Sequence, residues 1–161
     1  MVWTEYKWLV LTVTTLGAFM VALDGSVLIV GLPTLLHELD ATLVHGIWII
    51  TGYRLASTIL LVAVGRVADM LGRARLYVLG FGIFTFSSVL CGLSQSGTQL
   101  VIFRLLQGIG GALVIVNSVA IIADAFPPSE LGAGIGINFM AFNLGSILGY
   151  TISGLIVELA S

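Results

Sequence analysis

Five long apolar runs, at about 8–36, 46–67, 76–93, 100–126 and 132–159, occupy most of this 161-residue chain. Each reaches the roughly 18–20 residues that an α-helix needs to cross a bilayer core. Unpaired backbone groups find no water inside a bilayer, so runs of this length resolve as spanning helices. Only 9% of the residues are charged, against about 25% in ordinary soluble domains, so the chain lacks the polar surface to cover a globule in water. The expected fold is an all-α membrane protein: one transmembrane domain over 1–161, a polytopic helical bundle with five spans and short connections. Its first partner is the lipid bilayer.

The first run follows Lys7 but greatly exceeds the roughly 7–15 residues of a signal-peptide core, and it holds Asp24 in its interior; it reads as a retained span. Cys91 stands alone in an apolar run, which excludes a disulfide framework and reads as a buried, inert thiol. His37, Glu38 and His45 lack zinc-helix spacing and read as an outer-interface loop. No strand precedes Gly108-Ile109-Gly110-Gly111, so it is not a dinucleotide fingerprint. The chain has no basic patch for nucleic acid and no Ser or Cys nucleophile facing a His base. It is expected to be no enzyme and to hold no metal or organic cofactor.

Orientation follows from Lys and Arg in the connections. Lys7, Arg66, Arg73 and Arg75 fall at one end, while residues 37–45 and 94–99 contain no Lys or Arg. The N-terminus, residues 65–75 and residues 127–131 are therefore expected in the cytoplasm of a multi-pass inner-membrane protein, with Ser161 on the far side. Trp3, Trp8 and Trp48 lie near span ends, where an aromatic belt would hold them. Gly65 and Gly72 bracket Asp69 in the most charged stretch of the chain, which predicts a short turn between closely approaching helices.

Asp24, Arg54 and Arg104 lie inside apolar runs, where an unpaired charge is costly. Small residues share their faces at helical spacing: Gly17 and Gly31 with Asp24, Thr58 and Gly65 with Arg54, and Gly108, Gly111 and Ser118 with Arg104. Such faces predict charges turned inward at close helix contacts. At 1.5 Å per residue, Asp24 lies about 18 Å, Arg54 roughly 12 Å and Arg104 roughly 8 Å from the outer end of its span, close enough in depth to share one water-filled cavity. Low dielectric favours a neutral carboxyl and a neighbouring guanidinium favours the carboxylate, so Asp24 reads as a site that takes up and releases a proton. Asn138, Gly145 and Gly149 share a face of the fifth span, as either a packing seam or a cavity lining.

Three of these patterns together carry a family resemblance. Gly65, Asp69, Gly72-Arg73 and Arg75 resemble the loop signature between the second and third spans of the major facilitator superfamily. Arg104-Leu105-Leu106-Gln107-Gly108 resembles its fourth-span signature. Leu23-Asp24, with Leu32-Pro33 closing the helix, resembles the first-span signature of the drug:proton antiporters, particularly the fourteen-span branch. The resemblance covers nearly the whole chain. It implies alternating access, with proton binding at Asp24, a proton-transfer or substrate-responsive role for Arg104, and Gln107 beside them on the pathway. It also implies a conformational latch at Asp69 and Arg73, with Asp124 as partner of Arg73 or Arg75. The implied activity is proton-driven efflux of a small, amphiphilic organic substrate. Gly108, Gly111, Gly145 and Gly149 would pack the helices.

The sequence departs from the family pattern at three places. Met70 and Leu131 stand where basic residues are usual, and Gly149-Tyr150-Thr151-Ile152-Ser153-Gly154 replaces Gly-Pro-x-x-Gly-Gly. Superfamily transporters are built from two six-span halves around a midplane site. Five spans would be an incomplete N-terminal half. It is expected either to work with a second polypeptide or as an oligomer, or to be a truncated, transport-incompetent membrane protein or assembly partner.

Overall fold

The computed structural model describes residues 2–160, with the side chains of residues 5–159 other than Val62; the side chain of Trp3 and all of Ser161 lie outside the described residues. Among these residues there are five α-helices and no strand: α1 (Val2–Glu38), α2 (Leu43–Leu71), α3 (Arg73–Gly92), α4 (Gly97–Ala125) and α5 (Leu131–Ala160). Each contains a stretch long and apolar enough to cross a membrane. The helices extend past the expected apolar runs at nearly every end. At 37 residues, α1 is about 55 Å long and must project beyond a hydrocarbon core of about 30 Å.

Helix ends follow local chemistry. Asp40 takes φ 46°, a left-handed conformation that Asp tolerates better than most residues, and α1 stops before it. His45 then ties the start of α2 down: Nδ1 accepts from the Thr42 amide at 3.2 Å, and Nε2 lies 3.2 Å from Thr98 Oγ1 at the start of α4. Ser96 caps α4 by accepting from the Gln99 amide. Pro127 and Pro128 prevent α4 from continuing past Phe126.

Two expected breaks are absent. Pro33 does not close α1 but lies within it. A proline removes one donor from the ladder, and in a membrane helix neighbouring groups can make good that single loss. Likewise Gly65 does not open a turn, because α2 runs through it to Leu71. Ala68, Met70 and Leu71 are good helix formers. The whole α2–α3 connection is Gly72, at φ 95°, whose amide donates to Ala68 O at 2.9 Å. A side chain at that φ would be strained, so one glycine makes the corner.

The helix α4 is the hub. In its most apolar 18-residue stretch 56% of residues are buried within the protein, against 17–28% in the other four helices. It packs on α1, α2 and α3, while α5 packs chiefly on α1. Small residues permit these approaches. A Cβ added to Gly108 would lie 2.5 Å from Tyr53 O, one on Gly149 would lie 2.6 Å from Leu23 O, and one on Gly145 would collide with Phe19 O. The face of Asn138, Gly145 and Gly149 is thus a seam against α1 and α4: Asn138 Nδ2 donates to Ser118 Oγ at 3.0 Å, and Ser118 Oγ donates to Thr14 O at 3.2 Å. At one end of the bundle Lys7 pairs with Glu130, its ammonium near the rings of Trp8 and Phe126.

Candidate functional site

The inward face of α4 delivers Arg104 and Gln107 one helical turn apart, and both are buried. Opposite them on α1 stands Asp24, and its carboxylate is divided between the two. Arg104 Nη1 donates to Asp24 Oδ2 at 2.6 Å, and Gln107 Nε2 donates to Asp24 Oδ1 at 2.9 Å. Arg104 Nη1 also donates to Gln107 Oε1 at 2.6 Å, which closes a ring of three side chains. Each charge therefore has an opposite charge and a further hydrogen bond, as buried charges require.

Two residues not singled out as site residues complete the cluster. The Tyr53 ring lies under the Arg104 guanidinium, 4.3 Å from its Cζ, in a cation–π arrangement. Cys91 Sγ is 3.7 Å from Gln107 Oε1, so its thiol adds a weak donor from α3. The available signal for Tyr53 was its position beside Arg54 on a span that must pass Arg104. A thiol near the C-terminal end of α3 carried no comparable sign.

The three intramembrane charges do not share one cavity. Arg54 and Arg104 line a cleft of about 430 Å³ bounded by α1, α2, α4 and α5. Asp24 lines a second cleft, of about 590 Å³, with residues of α3 and α5, so the two members of the ion pair line different spaces. Matching depths set no azimuth around the helix, and azimuth is what divides them. Nor is the Arg54 face packed. Arg54 and Thr58 are exposed, and a Cβ on Gly65 would touch nothing within 4 Å.

At the opposite end of α2, Arg73 joins three elements. Its Nη2 donates to Asp69 Oδ1 at 3.1 Å, and its Nη1 donates to Asp124 Oδ1 at 2.7 Å and to Ala120 O at 3.3 Å. Asp124 therefore pairs with Arg73, while Arg75 is exposed and forms no ion pair among the described residues. On α5, Ser153 Oγ donates to Val27 O of α1 at 2.8 Å, and Tyr150 faces the first cleft. The departure from the fifth-span pattern thus introduces an interhelical hydrogen bond.

Residues 14–161 match the family described as Major Facilitator Superfamily. The chain belongs to this superfamily. Its five helices are part of a major facilitator bundle, and its relatives are transporters and not enzymes. It is 36% identical over 154 residues to the riboflavin transporter RibZ of Clostridioides difficile, covering 96% of this chain and 34% of that protein. It is 35% identical over 150 residues to the multidrug transporter protein MdtP of Bacillus subtilis, covering 93% of this chain and 28% of that protein. Identity to the tetracenomycin C resistance and export protein of Streptomyces glaucescens is 33% over 151 residues, or 94% and 28% of the two chains. This superfamily chain spans about a third or less of the length of these relatives.

Proposed function

We propose that the protein takes part in proton-coupled secondary transport of small, amphiphilic organic molecules by alternating access, with Asp24 as the proton site. The observation carrying this reading is the division of the Asp24 carboxylate between Arg104 and Gln107, with Asp24 and Arg104 lining different clefts. Protonation of Asp24 would remove the only acidic partner, among the described residues, of a guanidinium that is 3% exposed. An uncompensated buried charge costs on the order of 3 kcal/mol, enough to move α1 relative to α4 until Arg104 finds water or another acceptor. A proton gradient would then be the energy source, with no cofactor.

Residues 65–75 would serve as the conformational latch, through Asp69, Arg73 and Asp124. Contacts of Lys7 with Glu130 and of Arg73 with Asp124 gather the basic residues at one end of the bundle. The positive-inside rule would put that end, and the N-terminus, in the cytoplasm of the inner membrane. A second reading rests on exposed Arg54 and Tyr150, which leave one wall of the first cleft uncovered. In it, this stretch works only with a further polypeptide or another copy.

The test is dye accumulation in inverted vesicles containing this chain under an imposed pH gradient, with Asp24→Asn as control. Gradient-driven accumulation lost in the variant supports the proposal. Accumulation unchanged in the variant removes Asp24 from the coupling. An inserted, folded chain that accumulates nothing favours the second reading.

A further inference from the structure

One charge of the first cleft takes no part in the Asp24 cluster. Arg54 lies roughly 17 Å along α2 from Leu43, within a candidate span. The ion pairs among the described residues are Lys7 with Glu130, Arg73 with Asp69 and Asp124, and Arg104 with Asp24. Arg54 joins none of them, although an unpaired guanidinium at that depth is unfavourable unless it meets water or an anion. Arg104, the other charged residue of the cleft wall, has a buried Nε without a hydrogen-bond partner. Among the described residues no acidic side chain lines this cleft, and Asp24 lines the other one. Arg104 is balanced by Asp24, so the net charge of this wall is that of Arg54, and low-dielectric surroundings focus its positive potential into the space. The wall is otherwise mainly apolar, with Phe142 and Tyr150 contributed by α5. A volume of about 430 Å³ falls in the range of small-molecule sites.

We propose that this cleft binds an anionic aromatic amphiphile, with its acidic group on Arg54 and its ring system against Phe142 and Tyr150. The inference deepens the transport reading and rests on it only in taking the cleft as part of the substrate path. Equilibrium binding here does not depend on proton coupling at Asp24. The same guanidinium could instead hold a lipid phosphate, so the bilayer has to be varied in the test.

The experiment is a titration of the protein in lipid nanodiscs with fluorescein, an anionic dye at mildly alkaline pH, and with rhodamine 123, a cationic dye of similar shape. Fluorescence anisotropy is the readout. In phosphatidylcholine discs fluorescein should bind saturably and more tightly than rhodamine 123. Arg54→Gln should weaken fluorescein by about tenfold, the scale of one charge-assisted hydrogen bond, whereas Arg54→Lys should retain most of the affinity. Arg54→Glu should reverse the preference between the dyes. Asp24→Asn should keep fluorescein binding even where gradient-driven transport is lost, which separates failure of the coupling reading from failure of this one. The proposal is overturned by absent fluorescein saturation, by a wild-type preference for rhodamine 123, or by affinities indifferent to the Arg54 variants. Loss of fluorescein binding when phosphatidylglycerol replaces phosphatidylcholine also overturns it, by assigning Arg54 to the lipid headgroup.

Discussion

Asp24 and Arg104, 80 positions apart in the chain, meet at 2.6 Å across the α1–α4 contact, with Arg104 only 3% exposed. Neither helix can satisfy its own charge, so the pair fixes the register of one helix against the other. The Tyr53 ring on α2 and the Gln107 amide hold the guanidinium from its remaining sides. The same contact is thus a structural fastener and, in the proposed function, the point at which a proton would loosen the bundle.

Removing the cation alone should be costly. Arg104→Ala leaves the Asp24 carboxylate, 23% exposed, with Gln107 as its only partner in the cluster. We expect a loss of about 2–4 kcal/mol in unfolding free energy, below the top of the range for buried pairs because Asp24 retains some exposure. Combining Arg104→Gln with Asp24→Asn removes both charges and should cost less than Arg104→Ala alone. Reversible unfolding in mixed detergent micelles gives both numbers. Equal midpoints for wild type and Arg104→Ala would show that the pair does not hold the helices.

Glycines should divide sharply by what faces them. Gly145 meets the Phe19 carbonyl of α1, whereas a Cβ on Gly132 meets nothing within 4 Å. Gly145→Ala must push α1 and α5 apart and should cost about 1–3 kcal/mol, as overpacking does. Gly132→Ala should be neutral or stabilise by up to about 1 kcal/mol through helix propensity. The same unfolding assay compares them, and indistinguishable variants would mean that the α1–α5 seam yields freely.

Hydropathy made the five spans and their order legible, since nothing but a helix satisfies backbone groups in hydrocarbon. The fourth-span stripe of Arg104, Gly108 and Gly111 likewise marked the buried face of α4. The position of Arg54 was not legible in this way. Spacing relates residues on one helix, but it does not say how far that helix is rotated toward its neighbours, and α2 leaves Arg54 and Thr58 exposed, with Arg54 on the open first cleft and not at a close helix contact. The turns were obscured for a related reason. Gly65 and Pro33 are helix breakers by propensity, yet each sits within a helix whose packing outweighs one local cost. Of these three, only Gly72, with its positive φ, breaks the helix as its type suggests.

Ser153 offers a test of how the fifth helix holds the first. Its hydroxyl donates to Val27 O, and its residue exposure is 3%. Ser153→Ala should lose one interhelical hydrogen bond, worth about 0.6–1 kcal/mol in membrane bundles. Ser153→Thr keeps the hydroxyl but adds a methyl group to a packed site. If alanine costs nothing while threonine is strongly destabilising, shape and not hydrogen bonding governs this contact.

The corner at Gly72 and the ion pairs beside it should respond to substitution with different magnitudes and different salt dependence. Asp69 and Asp124 have side chains 65% and 62% exposed, so each pair with Arg73 is screened by water and salt. Asp124→Asn should therefore change stability by no more than about 1 kcal/mol, and less at high ionic strength. Gly72→Ala forces a side chain into φ 95° and should cost at least about 1–2 kcal/mol at any salt concentration. If the stretch also works as a latch, Asp124→Asn should still alter the balance of conformations, because a weak exposed pair is easily broken and remade. Spin labels on Arg66→Cys and Ala123→Cys, in a Cys91→Ser background, would report that balance as a change in distance distribution. A distribution unchanged by Asp124→Asn would leave Arg73 and Asp124 as surface charges with no part in switching.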